Sequence, residues 1–259
     1  MKYYCIGHKP PIFKPRESYI HVSPNIYQEL NQIIVQDDLY GSKFHGRILS
    51  EYAQLFGLAE FLKDAPKHEK FYIFQYRKFI SLRQPTVSNP NSPYPYSCNT
   101  DESNLFFPSQ DELSKLGNEL LLGKVLGNLG SLAEFYAVNH NVNDFSAFII
   151  SLYSAAGFDE QRCKSFINYQ ILLPAPSLGV FRVDIFLKHM EVLKMTWGHF
   201  AEHFFVARDE YQRRVGGFLL ERLHSFLICE EITNNIYTVA HGNQVVVSDS
   251  LIIKTNQEH

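Results

Sequence analysis

The distribution of apolar residues predicts two strands, a helix and a third strand in the N-terminal part of the chain. Residues 2–7 and 19–22 are rich in β-branched and aromatic side chains and end at turn-forming residues, a pattern typical of strands. Residues 48–62 carry apolar side chains at helical spacing and stop before Pro66. Residues 71–82 form an apolar and aromatic run that predicts one buried strand. This order predicts a parallel sheet whose ligands bind beyond the carboxyl ends of its strands.

The remainder of the chain predicts mainly helices. Apolar residues at helical spacing occur in 111–126, 129–140, 143–156, 179–195, 198–206 and 209–232. Residues 169–174 predict a further strand, and residues 236–254 contain a Gly-Asn turn between two β-rich runs, which predicts a hairpin. Residues 84–110 are rich in Pro, Ser and Asn and predict either a linker or a mobile loop that closes over a substrate. We therefore expect a single α/β domain over residues 1–259.

Composition and charge narrow the class of protein. Hydrophobic residues make up 45% of the 259 residues and charged residues 20%, which is typical of a globular chain with a large core. The 24 basic and 27 acidic residues leave no basic field, so we do not expect a nucleic acid partner. The four cysteines are far apart, which predicts free thiols in a reducing compartment. Without a leader-like start or a run of about 20 apolar residues, we expect a cytoplasmic protein with at most peripheral membrane association.

Polar residues follow the first and third predicted strands. His8 and Lys9 come after the first strand, and Tyr76, Arg77 and Lys78 interrupt the apolar run of the third. The carboxyl ends of parallel strands share one sheet edge, so these side chains are expected to lie on the same edge. A guanidinium at this position suits a diphosphate through bidentate hydrogen bonds, although an internal salt bridge explains Arg77 equally well.

Two groups of residues have the chemistry of metal ligands. Asp37 and Asp38 follow an apolar run and could hold a divalent cation or accept hydrogen bonds from a ribose, but a solvated turn explains them better. His199 and His203 share one helix face, yet no third ligand stands near them in the sequence. The chain also has no Asp-x-Asp motif. We predict no metal-binding residue and leave the need for a divalent metal open.

A polar edge is predicted on the apolar helix near the C-terminus. Arg214 and Glu221 are seven residues apart and lie close to one stripe of that helix, next to Arg222. Surface ion pairing, which contributes little energy, is the alternative interpretation. Gly216 and Gly217 are costly within a helix and indicate close packing or the approach of a ligand.

Four segments, in order, resemble a bacterial family of glycosyltransferase-like proteins long catalogued as a domain of unknown function. Its members occur in gene clusters for capsule and lipopolysaccharide synthesis. The segments are CIGHKPP, QDDLYGSKFHGRILSEYAQLFGLAEFLKD, FQYRKF and RVGGFLLERLHSFLI, the last at 214–228. Residues 84–165 are unmatched. Two positions depart from the family pattern, since Gln75 replaces a histidine and Lys78 replaces an arginine.

The resemblance implies a fold and a set of functional residues. The fold would be of the GT-A type, with a mainly parallel sheet flanked by helices and a nucleotide-sugar donor, a UDP-sugar as the first choice, at its carboxyl edge. The acceptor would be a glycan or a lipid-linked glycan of the bacterial surface. Glu51, which matches the family glutamate, or Asp38 would act as the general base. The donor and its diphosphate would be bound by His8, Lys9, Asp37, Tyr76, Arg77, Arg214, Glu221 and Arg222, whose cations would neutralise the leaving group.

Two other classes of function are considered. A non-catalytic glycan-binding or partner-binding domain of the same fold is favoured by the Gln75 departure. A metal-dependent hydrolase would use Asp37, Asp38, His199 and His203. The sequence has no Gly-rich phosphate loop, no G-x-S-x-G motif and no H-E-x-x-H motif, so kinases, simple esterases and zincins are not supported.

Overall fold

The computed structural model describes residues 1–35, 46–85, 87–88, 95–127, 130–234 and 236–248. Its strands, in chain order, are β1 Lys2–Ile6, β2 Ile20–Ser23, β3 Gln32–Ile34, β4 Lys70–Gln75, β5 Lys78–Ser81, β6 Val87–Ser88, β7 Tyr96–Cys98, β8 Leu120–Leu122, β9 Gly179–Arg182, β10 Val239–His241 and β11 Asn243–Val247. Its α-helices are α1 Gly46–Leu49, α2 Tyr52–Leu62, α3 Ser103–Phe106, α4 Gln110–Lys115, α5 Leu132–Asn139, α6 Val142–Ala155, α7 Glu160–Ile167, α8 Val183–His203 and α9 Val215–Thr233.

The sheet has a parallel portion built from the N-terminal strands, in the order β3-β2-β1-β4. The last four residues of β1 are buried, as expected for a parallel strand covered on both faces. Beyond β4 the sheet continues through strands of mixed direction, since β9 and β5 both pair antiparallel with β4. The predicted α/β fold, with parallel strands at its centre and helices flanking the sheet, is confirmed.

The predicted single strand over 71–82 is wrong, because this segment forms two antiparallel strands. β4 ends at Gln75 and β5 starts at Lys78, and these two residues pair across the turn made by Tyr76 and Arg77. The hydroxyl of Tyr72 donates to the carbonyl of Ile80 at 2.7 Å and accepts from its amide at 3.0 Å, which joins the two strands inside the core. The polar residues within the apolar run therefore mark a turn.

The helix predicted over 179–195 begins instead with a strand. Residues 179–182 form β9, which pairs with β4, and α8 then runs without interruption from Val183 to His203. The separate helix predicted over 198–206 is the C-terminal part of α8. Arg182, at the junction, donates to both carboxylate oxygens of Asp184 at 2.7 Å and stabilises the change from strand to helix. Periodicity alone did not separate a short buried strand from the helix that follows it.

The helix predicted over 111–126 is also shorter than expected. Ser109 and Glu112 form a capping box at the start of α4, and the helix ends at Lys115, before Gly117, whose φ is 66°. The following apolar residues form the buried strand β8. Residues 169–174 form no extended strand, since only Leu172 makes an isolated bridge there, to Leu126.

The hairpin predicted over 236–254 is wrong for its described part. β10 pairs with β8, whereas β11 pairs with β5 and β7, so β10 and β11 do not pair with each other. They follow one another along the chain and join different strands of the sheet. Gly242 lies between β10 and β11, where a Cβ atom would be 2.7 Å from the backbone carbonyl oxygen of Ser81. The close approach of these backbones explains the glycine, which the sequence suggested as part of a turn.

The stretch predicted to be irregular, 84–110, contains regular elements in its described part. Strands β6 and β7 pair antiparallel, β7 also pairs with β11, and α3 follows. Residues 86 and 89–94 lie outside the described residues. The stretch 84–110 is therefore attached to the sheet, because β7 pairs with β11.

Helices α2, α8 and α9 pack together against the sheet. Helix α9 is buried almost all round, and the large side chain of Trp197 on α8 is fully buried. Among the described helices, none is long and apolar enough to cross a membrane.

Candidate functional site

A cleft of about 870 Å³ opens where β1, β2 and β4 end. Its walls are the residues that follow these strands, the β4–β5 turn, the α1–α2 segment and the start of α9. The residues that line it are Ile6, Gly7, His8, Pro24, Asn25, Gly46, Arg47, Ser50, Glu51, Gln54, Gln75, Tyr76, Arg77, Lys78, Tyr211, Arg214, Gly217, Phe218 and Glu221. The cleft therefore lies at the sheet edge where parallel strands are expected to bind ligands.

The strand-end wall of the cleft is held by backbone contacts of His8. The carbonyl of His8 accepts hydrogen bonds from Asn25 Nδ2 at 2.8 Å and from the Tyr27 hydroxyl at 2.7 Å. The amide of Gly7 donates to the carbonyl of Val22 at 3.2 Å. The exposed imidazole of His8 lies with its centroid 5.8 Å from that of the Tyr76 ring. The ends of β1 and β2 therefore form one connected rim of the cleft, which exposes the imidazole of His8.

Arg77 and Lys78, the two cations found within an apolar run of the sequence, lie in the β4–β5 turn and at the start of β5. The turn is anchored by hydrogen bonds from the amide of Ile12 to the carbonyl of Tyr76 and from the amide of Val247 to the carbonyl of Arg77. The exposed guanidinium of Arg77 has its Cζ atom 5.4 Å from the centroid of the Tyr76 ring. Arg77 is thus available to a ligand in the cleft.

Lys78 lies deeper in the cleft, within the electrostatic field of two carboxylates. Burial lowers the pKa of Lys78, while Glu51 and Glu221 raise it and the cations Arg77 and Arg214 lower it further. The cleft therefore contains a compact group of two carboxylates and three cations.

The helical wall depends on a close contact between α9 and the turn before α2. Ser50 has a φ of 55°, and its Oγ accepts a 2.8 Å hydrogen bond from Nε of Arg214. A Cβ atom on Gly217 would lie 2.5 Å from this Oγ, and one on Gly216 would lie 2.6 Å from Cδ2 of Leu49. The close packing expected from the two glycines is therefore present, and it brings Arg214 beside the segment that carries Glu51.

The negative charge of Glu51 acts on Glu221, the second carboxylate of the cleft. Burial raises the pKa of Glu221, and the negative charge of Glu51 raises it further, against the opposing effects of Arg222 and Lys78. Glu221 Oε1 also accepts a hydrogen bond from the amide of Ala175 at 3.2 Å. Carboxylates in such a setting can accept or hold a proton, which is the requirement for general acid–base chemistry.

The structure separates two predicted site residues from the rest. Arg222 is buried behind the cleft, where its Nη1 donates to the carbonyl of Phe218 at 2.8 Å. Its Cζ atom lies 5.3 Å from the ring centroid of Phe135 and 5.0 Å from that of Tyr136. Arg222 therefore cannot reach a ligand directly, and its charge is accommodated by aromatic rings and by Glu221. Lys9 is exposed but does not line the cleft.

The metal-ligand candidates are not brought together where the structure describes them. Asp37 and Asp38 lie outside the described residues. Nδ1 of His199 lies 3.1 Å from Oγ of Ser151, and the His199 and His203 rings are 4.5 Å apart on α8, away from the cleft. Within the described ranges, no group of three or more His, Cys, Asp and Glu side chains could hold a metal ion.

Several cleft residues were missed by the sequence analysis. Lys78 was expected at this sheet edge but was not included among the donor-binding residues, although its place beside Arg77 was the available signal. Tyr211 and Phe218 flank Arg214. Their closeness in the sequence to a predicted cation was a signal that could have placed these two aromatic residues in the cleft. Ser50 gave no sequence signal, because its role depends on the approach of a distant helix.

The order of strands and helices around this cleft is that of a glycosyltransferase-like fold. A solved structure of similar fold is that of the bifunctional glycosyltransferase WbbM in its apo form, with a TM-score of 0.72 and 18% sequence identity. The match covers 95% of this chain and 45% of that one, so the chain spans less than half the length of WbbM. No family model matches the chain, and no curated protein sequence matches it. The expected fold, consistent with the GT-A type, is confirmed.

Proposed function

We propose that this chain is a glycosyltransferase that moves a sugar from a nucleotide-sugar donor to a glycan or lipid-linked acceptor. The observation that carries the proposal is the shared cleft of Arg77, Lys78, Arg214, Glu51 and Glu221. Sugar transfer from such a donor releases a diphosphate anion and removes a proton from the acceptor hydroxyl. A site for this reaction needs cations on the leaving side and a carboxylate near the acceptor, and the cleft offers both.

The cations of the β4–β5 turn are the proposed diphosphate ligands. Arg77 is exposed to the cleft, and a guanidinium can bind two phosphate oxygens at once. Lys78 lies next to it as a second positive charge. Arg214 approaches from the helical wall, so that positive charge meets the ligand from two sides. His8 and Tyr76 would contact the nucleotide at the strand ends, where His8 is exposed.

Glu51 is the proposed general base. It lies directly before α2, is half-buried, and follows Ser50, whose position is fixed by Arg214. Glu221 lies in the same cleft, where burial and the charge of Glu51 raise its pKa, so it would hold a proton beside the proposed base up to a higher pH than usual. Asp38, the other candidate base, and Asp37 are outside the described residues, so their roles stay predictions.

The wider setting is also part of the proposal. The resemblance to proteins of capsule and lipopolysaccharide gene clusters supports an acceptor that belongs to a bacterial surface glycan. Such an acceptor is assembled on a lipid carrier, which supports a cytoplasmic enzyme that meets the inner membrane peripherally. A UDP-sugar is the first donor to test, and the requirement for a divalent metal is left to the same experiment.

The test is a thermal-shift measurement with UDP-glucose, UDP-galactose, UDP-N-acetylglucosamine and GDP-mannose, each with and without manganese. A donor that binds the native state raises Tm with its concentration. We expect one donor to raise the Tm of the wild-type protein and to lose this effect in Arg77→Ala and Arg214→Ala. The matched control is Arg213→Ala, which removes an exposed arginine next to Arg214 that does not line the cleft. Absence of any shift with all four donors would count against the proposal.

A second function is favoured by one observation, the presence of Gln75 in the cleft where the family pattern has a histidine. A non-catalytic domain would bind the donor or a glycan without turnover. Release of free nucleotide from the bound donor, with and without added glycans, separates the two functions. Nucleotide release that disappears in Glu51→Gln supports the transferase, whereas binding without release supports the non-catalytic domain.

A further inference from the structure

The helical wall of the cleft carries an aromatic cluster that the proposed chemistry does not use. Tyr211 and Phe218 both line the cleft, with ring centroids 4.8 Å apart. The ring of His140 is stacked on Phe218 at 4.1 Å and lies 6.0 Å from Tyr211, nearly parallel to it. Three rings from three separate elements therefore form one aromatic surface, which we name the Tyr211 platform.

The platform is held in place by contacts on its far side. Gln212 Nε2 donates to the carbonyl of Asn139 at 2.8 Å, and Gln212 Oε1 lies 3.2 Å from Nδ1 of His140. Burial lowers the pKa of His140, with the nearby Arg222 contributing, so its ring is neutral near pH 7. The platform therefore presents an uncharged and pre-positioned aromatic face.

The outer ring of the platform is left open to a ligand. Tyr211 is 59% exposed although it lines a cleft, whereas Phe218 beneath it is only 7% exposed. A tyrosine has a broad apolar face and a polar tip, so it can cover the C–H face of a ring while its hydroxyl bonds to water or ligand. An exposed aromatic side chain of this kind within a concave polar cleft is suited to stacking.

The position of the platform favours an acceptor sugar over a nucleobase. Arg214, whose Cζ lies 5.5 Å from the Phe218 ring centroid, also bonds to Ser50, the residue before Glu51. The platform is thus linked to the segment of the proposed base. A general base must be within hydrogen-bond reach of the hydroxyl that it deprotonates. The residues proposed for the nucleotide, His8 and Tyr76, line the cleft from the strand ends and not from the helical wall.

We propose that the Tyr211 platform binds the pyranose ring of the acceptor by stacking against its apolar C–H face. This inference rests on the proposed transferase function, since it assigns the second substrate of that reaction. A pyranose stacked on Tyr211 places its hydroxyl groups at the ring edge, where they can face Glu51. The platform selects for a ring with an uninterrupted C–H face, and an axial hydroxyl on that face weakens stacking.

The test uses ligand-observed saturation-transfer NMR with three probes, methyl β-D-glucopyranoside, methyl β-D-galactopyranoside and methyl α-D-mannopyranoside, and separately with UDP. We expect saturation of at least one glycoside, strongest at the protons of one ring face. Tyr211→Ala should weaken glycoside binding about tenfold, while Tyr211→Phe retains it because the ring is kept. Tyr153→Ala is the matched control, since Tyr153 is 64% exposed on α6, outside the cleft. UDP binding should be unchanged in all three variants.

The outcomes separate this inference from the proposed function. Loss of UDP binding in Tyr211→Ala, with glycoside binding retained, would assign the platform to the nucleobase and overturn the inference. Glycoside binding that is absent in the wild-type protein, or equal in Tyr211→Ala, would overturn it as well. Failure of UDP to bind the wild-type protein would instead count against the transferase proposal itself.

Discussion

Arg214 Nε donates a 2.8 Å hydrogen bond to Ser50 Oγ, and this contact joins the start of α9 to the segment that carries Glu51. The two residues are 164 positions apart in the chain. Glu221 lies two turns further along α9, so the same contact sets where the second carboxylate stands relative to the first. The relative placement of the proposed base and its neighbouring carboxylate therefore depends on how closely α9 approaches Ser50.

Gly217→Ala should disturb this approach. The added methyl group would meet Ser50 Oγ at 2.5 Å and Ser50 Cβ at 3.0 Å, and Ser50 already has a positive φ, so its backbone has little freedom to adjust. Overpacking of this kind costs about 1–3 kcal/mol, and we expect the free energy of unfolding to fall by that amount. Urea denaturation measures the change. Gly127→Ala is the control, because a Cβ there meets nothing within 4 Å. Equal stability of the two variants would show that α9 has room to move.

The location of the cleft, though not the place of Lys9, could be predicted from the sequence, because it depends on local signals. His8 and the Tyr76–Lys78 segment were placed on one sheet edge from strand ends alone, and His8, Tyr76, Arg77 and Lys78 do line one cleft. The glycine pair in α9 predicted close packing or the approach of a ligand, and the structure contains the close packing. Turn chemistry and strand polarity are encoded over a few residues, and the rule for parallel sheets then places them together.

What the sequence could not provide was the pairing of distant segments. The run 236–248 has strong β character, but whether its halves pair with each other depends on β8 and β5, which lie far away in the chain. Arg222 follows Glu221 directly, and only the packing of Phe135 and Tyr136 shows that it faces the core. The residues 179–182 were misassigned because four residues are too few to establish a period.

Glu51→Gln should abolish transfer without loss of stability. The amide keeps the size of the side chain but cannot accept the proton of an acceptor hydroxyl, and removal of a general base lowers kcat by about 10²–10⁴-fold. Donor binding should persist, so the thermal shift with the donor remains while nucleotide release stops. Glu60 lies on α2, the helix that follows Glu51, and is paired with Lys194 outside the cleft, so Glu60→Gln should retain full activity. Activity in Glu51→Gln equal to that of Glu60→Gln would remove the base assignment.

Lys78→Met should shift the acidic limb of the pH–rate profile to higher pH. Lys78 lowers the pKa of Glu221, so an uncharged side chain of similar length lets that pKa rise further above its usual range. We expect activity to require the charged form of Glu221, so activity then disappears at a higher pH as the solution is acidified. The profile of kcat/KM against pH measures this, with Lys194→Met as the control outside the cleft. An unmoved limb would show that Lys78 does not act on the carboxylates.

His224 should make the stability of the protein fall as the pH drops below neutrality. It is fully buried between α2, α8 and β9, with Nδ1 3.4 Å from the Tyr52 hydroxyl and its ring near His189 and Phe181. Burial holds the pKa of His224 well below its usual value, and His189 lowers it further. Below a pH of about 6.5, His224 binds a proton in the unfolded chain but not in the folded state. The free energy of unfolding therefore decreases by up to about 1.4 kcal/mol per pH unit.

The variant that tests this is His224→Gln, which keeps a hydrogen-bonding group beside Tyr52 but cannot titrate. Urea denaturation between a pH of about 7 and about 5 should show a shallower fall in the free energy of unfolding. The slope against pH should be smaller by the equivalent of close to one bound proton. A slope remains, because burial also lowers the pKa of His21 and His140. The pKa of Glu231 is lowered by His189 and Lys188 against the effect of burial, so its contribution is lost only at more acidic pH. The wild-type protein is the reference, and a slope in His224→Gln equal to the wild-type slope would mean that His224 accepts its proton within the folded core.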